Sequence, residues 1–294
     1  MHQETIKKEK NMEDVMLSFR NSNLCKLMTK EEMHQNAPFI FAKEKTNPAT
    51  SDRYEFVDTE TLIDDMAKLG WGVTECKQQR ANKRSNVRSF HTVAFQNPDV
   101  YITKEDGTIE AFPRIIVSNS HDGFHSFKFM AGLYRLVCSN GLILADAEFT
   151  SFSVRHINYD FTELQKIVAQ SIELTHKKVE VINTMRETKM TLEQKETLAK
   201  RAIAIRKGIK EWDELKVAKS DLQDILEPVR KEDEGDSLWN VFNVLQEKVI
   251  KGDFTFGKTK TGRARKARPI TGAAKDIDVN QALFIAASEY LQAA

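Results

Sequence analysis

The sequence predicts an α+β fold: an antiparallel β-meander domain followed by a long helix and a helical C-terminal region. Short runs of β-branched and aromatic residues, separated by turn residues, recur between positions 71 and 156 and are typical of strands. After position 160 the apolar residues instead recur at spacings of three and four, which is the period of an amphipathic helix. The two patterns together place the sheet first along the chain and the helices after it.

The N-terminal half is predicted to contain one helix and a series of strands. The helix covers 59–69, with Thr59 as its cap and Gly70 as its stop. The strands are predicted at 71–76, 87–95, 100–103, 114–118, 142–144 and 149–156, whereas 127–138 fits neither period cleanly. The Asp106-Gly107 pair between two of these runs favours a tight hairpin turn.

The C-terminal half is predicted to contain five helices and one irregular segment. A capping box at Thr191 opens the second helix, and Ser237 is in position to cap the fourth. The five helices cover 161–187, 191–206, 220–226, 237–249 and 278–292. The basic, glycine-punctuated stretch 252–268 is predicted to be a flexible loop or arm.

These patterns divide the chain into five parts. They are a flexible tail at 1–14, a sheet domain at 15–158, a helical region at 159–251, a basic arm at 252–276 and a C-terminal helix at 277–294.

Composition excludes several classes of protein. A 40% hydrophobic content and a net charge of +1 from 44 basic and 43 acidic residues argue against a wholly disordered chain. The three cysteines are widely spaced, which argues against a disulfide framework and a Cys-x-x-Cys zinc site. We expect no membrane contact, because no apolar run approaches about 18 residues. Without an apolar signal segment at the start, we expect a cytoplasmic location, in a bacterial host cell.

Two segments of the chain are rich in Lys and Arg, although the net charge of the whole chain is only +1. The first has no acid among Lys77, Arg80, Lys83, Arg84 and Arg88. The second has a single acid and contains Lys251, Phe254, Phe256, Lys258, Lys260, Arg263, Arg265, Lys266 and Arg268. Clustered cations suit a phosphate backbone, and Phe254 or Phe256 would stack on bases. The alternative is that both segments are solvated loops whose charge is balanced by acids elsewhere in the fold.

A second group of candidate residues is the turn Ser118-Asn119-Ser120-His121-Asp122-Gly123, with His125 two residues further on. A histidine beside an aspartate can position a general base, and two imidazoles with a carboxylate can hold a metal ion. Asn, Ser, Asp and Gly are also ordinary turn formers, and the sequence offers no further ligand that can be assigned. A structural turn is therefore favoured, and we predict no catalytic residue, no metal site and no cofactor.

The residues around this turn resemble a known family. The run SNSHDGFHSFKFMAGLYRLVCSNGLIL at 118–144, followed by FSVRH at 152–156, is similar to the phage/plasmid-like protein family, which has domain of unknown function 932. The sequence departs from the family's pattern at Phe124, where a small polar residue is common, and at Gln246-Glu247. The resemblance implies a phage, prophage or plasmid origin, but it transfers no catalytic residue.

Taken together, these observations predict a nucleic-acid-binding protein of phage or plasmid type that binds or anneals single-stranded DNA without ATP. The predicted order of a meander and a long helix is similar to the core of single-strand annealing proteins, an analogy of fold alone. We also expect the long helix to support a homo-oligomer. One alternative is a protein that binds and inhibits a host defence protein. Another is a metal-dependent nuclease that uses His121, Asp122 and His125.

Overall fold

The computed structural model describes residues 26–47, 54, 56–79, 89–103, 109–135, 141–143, 161–258 and 261–292. It confirms the α+β fold, with an antiparallel sheet in the N-terminal half and helices after it. The chain forms two compact units. Unit 1 comprises Met1–Ser139 and Asp146–Glu173, and unit 2 comprises Asn140–Ala145 and Leu174–Ala294. The five predicted divisions of the chain stay predictions.

The helices of unit 1 begin at short polar side chains. Helix α1 (Lys30–Asn36) opens on a capping box and leads into a 3₁₀ turn at Pro38–Phe41. Helix α2 (Thr59–Lys68) is capped by Asp58, whose carboxylate accepts two backbone N–H groups. The predicted cap, Thr59, is instead the first helical residue and is fully buried. Both helices pack on strand β1.

The sheet of unit 1 is an antiparallel meander. Its strands are β1 (Gly72–Gln78), β2 (His91–Gln96), β3 (Ile102–Thr103), β4 (Ile109–Asn119) and β5 (Lys128–Arg135). β2 lies between β1 and β4, and β4 also pairs with β5 and β3. The stretch that fitted neither period is therefore largely a strand. The predicted strand at 149–156 and the turn at 106–107 lie outside the described residues.

The core of unit 1 surrounds strand β2. Every residue of β2 is buried, so both faces of this strand are covered. The large side chains with less than 2% exposure include Leu62, Met66, Trp71, Phe95 and Phe112. Burying one such side chain stabilises the fold by about 1.5–3 kcal/mol. These buried side chains are therefore the main source of stability of unit 1.

Unit 2 is largely helical. Its elements are β6 (Gly141–Ile143), the later part of α3 (Phe161–Glu187), α4 (Leu192–Lys207), α5 (Lys219–Leu226), a 3₁₀ turn (Lys231–Asp233), α6 (Leu238–Lys251), β7 (Thr255–Lys258), β8 (Ala264–Lys266) and α7 (Ala273–Gln292). The Thr191 capping box and the Ser237 cap are both present. Helix α6 packs against α4, α5 and α7, and its buried Phe242 and Leu245 form the centre of the unit.

The basic stretch after α6 differs from the predicted flexible arm. β7 and β8 pair as an antiparallel hairpin. None of the described helices is long and apolar enough to span a bilayer.

Candidate nucleic-acid interface

The base of the hairpin is fixed to the core of unit 2. Gly252 ends α6 with a φ of 77°, and a Cβ at this position would lie 2.5 Å from the backbone oxygen of Arg268. Phe254, two residues later, is 2% exposed, and its backbone oxygen accepts the N–H of Ala267 at 2.9 Å. The two ends of the hairpin are therefore held together, and its first aromatic residue belongs to the core.

Two carboxylates of α5 hold the first strand of the hairpin. Asp224 accepts the Thr255 N–H at 2.6 Å and the Thr255 hydroxyl at 2.8 Å. Asp221 accepts the Gly257 N–H at 2.6 Å and the same hydroxyl at 3.3 Å. Burial disfavours the charge of Asp224, but the hydrogen bonds from Thr255 and the nearby Lys248 and Lys266 outweigh it and lower the pKa of that carboxyl. Strand β7 is thus attached by its backbone to two acidic side chains of α5.

Cations from three elements gather around this hairpin. We call the basic cluster the set Arg206 and Lys207 of α4, Arg265 and Lys266 of β8, Arg268 after β8, and Lys275 of α7. Phe256 lies within it: the Lys207 Nζ is 5.0 Å and the Arg265 Cζ is 5.6 Å from the centroid of its ring.

The remaining members of the basic cluster are also close together. Arg206 donates to the backbone oxygen of Arg268 at 2.5 Å. Burial, and then the charge of Arg206, lower the pKa of Lys275, so these two cations repel each other.

Little of the positive charge of the basic cluster is balanced by acidic side chains of the described residues. Within the described parts of the chain, Lys207, Arg265 and Lys266 form no ion pair, although the charge of Asp224 lies near Lys266. The Nε of Arg206 is buried and has no hydrogen-bond partner among those residues. Gathering unpaired cations costs Coulomb energy, which an anion such as a phosphate would offset.

The structure changes the roles available to the two predicted aromatic residues. Of the two rings predicted as alternatives for base stacking, that of Phe254 is 2% exposed and belongs to the core. Phe256 is half-buried between its two cations, and its role stays a prediction.

The predicted cations of the second segment lie on or beside the hairpin. Arg263, Arg265, Lys266 and Arg268 are exposed, and Lys251 is exposed but pairs with Glu247 at 2.6 Å. Lys258 ends β7, and Lys260 lies outside the described residues. Sequence reasoning missed Arg206 and Lys207, because only folding brings the end of α4 to the hairpin. It also missed Lys275, whose proximity to Arg206 likewise arises only on folding.

The first basic segment is less informative. Lys77 lies in β1 and pairs with Glu75 at 2.7 Å, and Glu75 also pairs with Arg114. Arg80, Lys83, Arg84 and Arg88 lie outside the described residues. Lys77 and the hairpin belong to different units.

The side chains of Asn119, Ser120 and Asp122 in the turn at 118–123 are held by hydrogen bonds. The Asp122 carboxylate accepts the N–H groups of Ser89 and Phe124, both at 3.1 Å, and also the Ser120 hydroxyl. The Asn119 amide donates at 2.9 Å to the backbone oxygen of Val57 and to the Thr59 hydroxyl. These bonds tie the end of β4 to the start of β2 and to the residues around the start of α2, which favours the structural interpretation of the turn.

The histidines near this turn are buried or packed against aromatic rings. Burial, and then the neighbouring His121, lower the pKa of His91 to about 3. Burial also lowers the pKa of His121 to about 4, against the opposing influence of the Phe39 backbone and of nearby carboxylates. The His125 ring packs on Phe90 at 4.5 Å between centroids. Within the described ranges, no three His, Cys, Asp or Glu side chains are grouped so that they could hold a metal ion.

Comparison with known proteins identifies related sequences. The family model described as "Domain of unknown function (DUF932)" matches residues 48–284. The UPF0380 protein YafZ of Escherichia coli K12 is 29% identical over 273 residues, which are 90% of this chain and 92% of that protein. The UPF0380 protein YfjQ of the same organism is 27% identical over 272 residues, with the same coverage. No solved structure matches the chain.

Proposed function

Because the chain belongs to the DUF932 family, whose description names no activity, we propose a function from the geometry of the hairpin. The proposed function is nucleic-acid binding through the phosphate backbone at the basic cluster. One observation carries it: cations of α4 and the hairpin lie over the Phe256 ring, and Lys207, Arg265 and Lys266 have no ion pair among the described residues. Exposed, unpaired cations on several elements are what a chain of phosphates requires.

We propose that the preferred form is single-stranded, with Phe256 as the stacking residue. Its two cation–π contacts are worth about 0.5–1 kcal/mol each when the cation is exposed. Stacking of a base on an aromatic ring is worth about 1–3 kcal/mol. Because Lys207 and Arg265 gain phosphate contacts when they leave the ring, the exchange of cation for base is favourable. A duplex keeps its bases stacked internally and offers Phe256 no such partner.

Annealing without ATP, by a homo-oligomer, is the further activity that we propose for this site. A protein that neutralises the phosphates of two complementary strands lowers their mutual repulsion. The test is the rate at which two labelled complementary oligonucleotides pair, measured with and without the protein and without nucleotide. An unchanged rate at saturating protein would contradict this part of the proposal.

Fluorescence anisotropy of a labelled oligonucleotide at low salt tests the binding itself. The informative variant is Arg265→Ala with Lys266→Ala, which removes two charges from β8. A matched control is Lys189→Ala with Lys231→Ala, since both residues lie by the start of α6, whereas the hairpin follows its end. We expect the β8 pair to lose at least about tenfold in affinity and the control pair to lose less than about threefold. Absent wild-type binding, or equal losses in the two variants, would overturn the proposal.

A second candidate function is binding to a host protein, and one observation favours it. Phe124 is 76% exposed on a loop that starts at the hydrogen-bonded Asp122 turn, so a large apolar side chain is presented on a fixed base. Retention of one partner from nuclease-treated host lysate, and its loss with Phe124→Ser, would support this function. Equal retention by the wild type and the variant would contradict it.

A further inference from the structure

We propose that Asp221 and Asp224, although acidic, are positioning residues of the basic cluster. This inference rests on the proposed function. Loss of the hydrogen bonds that Asp221 and Asp224 accept weakens nucleic-acid binding, even though loss of their charge makes the surface more positive.

The two carboxylates hold the backbone of strand β7. They lie three residues apart on α5, so they are on the same face of that helix. Together they accept the N–H groups of Thr255 and Gly257 and the hydroxyl of Thr255. Strand β7 is therefore fixed on both sides of Phe256, the residue between them.

The position of strand β7 in turn affects the cations next to it. Successive side chains of a strand point to opposite faces, so the Thr255 side chain faces α5 and the Phe256 ring points away from it. Lys207 and Arg265 lie over that ring. The position of the ring, and with it the spacing of two cations from different elements, depends on the backbone that Asp221 and Asp224 hold.

Replacing these two carboxylates therefore has two opposite effects on phosphate binding. The negative charge of Asp224 lies close to Lys266, so simple electrostatics predicts tighter phosphate binding when the charge is removed. Their hydrogen bonds order the hairpin, so positioning predicts weaker binding when the acceptors are removed. Asparagine and alanine remove the same charge, but only asparagine keeps an acceptor oxygen.

The experiment compares Asp221→Asn with Asp224→Asn against Asp221→Ala with Asp224→Ala, by anisotropy with a labelled single-stranded oligonucleotide. We expect the alanine pair to bind about tenfold more weakly than the asparagine pair. Asp253 is exposed near the hairpin and serves as the control, because Asp253→Ala and Asp253→Asn should agree within about twofold. Equal affinities of the two pairs would overturn the inference, whereas absent wild-type binding would instead overturn the proposed function.

The dependence of binding on salt provides a readout that general destabilisation does not change. If the cations lose their spacing, fewer phosphates are neutralised, so the salt slope of the alanine pair should be less steep by about 0.7 for each lost contact with a single strand. An unchanged slope would contradict the inference.

Thr255→Val removes the hydroxyl donor without any change in charge, and it keeps the inference testable if the alanine pair does not fold. We expect a loss of about threefold in affinity for this variant. Affinity equal to that of the wild type would contradict the inference.

Discussion

The turn at 118–123 and the hairpin formed by β7 and β8 are both rich in polar and charged residues, but they use their hydrogen-bond partners differently. In the turn, the Asp122 carboxylate accepts hydrogen bonds from two backbone N–H groups and one hydroxyl. In the hairpin, acidic side chains hold the backbone, and the cations around Phe256 remain exposed. The Asp122 carboxylate thus has its donors within the fold, whereas Lys207, Arg265 and Lys266 form no ion pair among the described residues. This difference is the reason for proposing the hairpin, rather than the turn, as a binding site.

Phe254 at the base of the hairpin and Phe256 within it should differ most in how much their loss lowers the free energy of unfolding. Phe254→Ala should lower the free energy of unfolding by about 3–5 kcal/mol, because the ring is buried in the core. Phe256→Ala should lower it by less than about 1 kcal/mol, because this ring is half-buried. Urea unfolding measures both, and equal losses would break the distinction between a core ring and a surface ring.

The turn can be tested with Asp122→Ala. The change leaves the buried Ser89 N–H without its acceptor, so the free energy of unfolding should fall by about 3 kcal/mol. The control is Asp64→Ala on the exposed face of α2, which should change it by less than about 0.5 kcal/mol. Oligonucleotide affinity of the folded Asp122→Ala variant should equal that of the wild type, and a selective loss of binding would mean that the turn has a direct role.

The buried histidines predict how the stability of unit 1 depends on pH. Both are neutral in the fold, with pKa values of about 3 for His91 and about 4 for His121. Their pKa in the unfolded chain is about 6.5, so the unfolded state binds more protons below that pH and stability falls. At pH 5 the loss is about 2 kcal/mol for each histidine.

Denaturant unfolding between pH 7 and pH 5 checks this expectation. His121→Phe removes a ring whose two nitrogens have no hydrogen-bond partner among the described residues. Its stability should therefore depend on pH by about half as much as that of the wild type. A pH dependence identical to that of the wild type would show that His121 is not buried as a neutral ring.

The smallest effect is expected for the preference for single-stranded over duplex nucleic acid. Phe256→Leu should weaken binding to a single strand by about tenfold and leave duplex binding unchanged within about twofold, since only unpaired bases can stack on the ring. Competition between labelled single strands and unlabelled duplexes measures both. Parallel losses on the two substrates would contradict the proposed single-strand preference.

Local signals made much of the fold predictable. The Thr191 capping box and the Ser237 cap are satisfied by bonds within one helical turn, so a few neighbouring residues specify them. The hairpin was missed because its strands are short and because the carboxylates that fix β7 come from α5, more than 30 residues earlier. Tertiary contacts of this kind leave no periodic pattern in the sequence.

The candidate site was predictable only in part for the same reason. Arg265 and Lys266 are visible as a cationic run in the sequence. Lys207 comes from the end of α4, far earlier in the chain, and reaches the hairpin only in the folded state. Lys275 follows the basic stretch closely in sequence, but only folding brings it near Arg206. Phe254 and Phe256 differ in burial although both lie in the same basic stretch, and composition does not distinguish them.

The salt dependence of oligonucleotide binding tests the central claim most directly. The logarithm of the affinity should fall linearly with the logarithm of the salt concentration, with a slope of about −0.7 for each phosphate neutralised on a single strand. Removing Arg265 and Lys266 should make that slope less steep by about 1.4, while removing Lys189 and Lys231 should leave it unchanged. Identical slopes for the wild type and both variants would contradict the claim that the basic cluster holds phosphates.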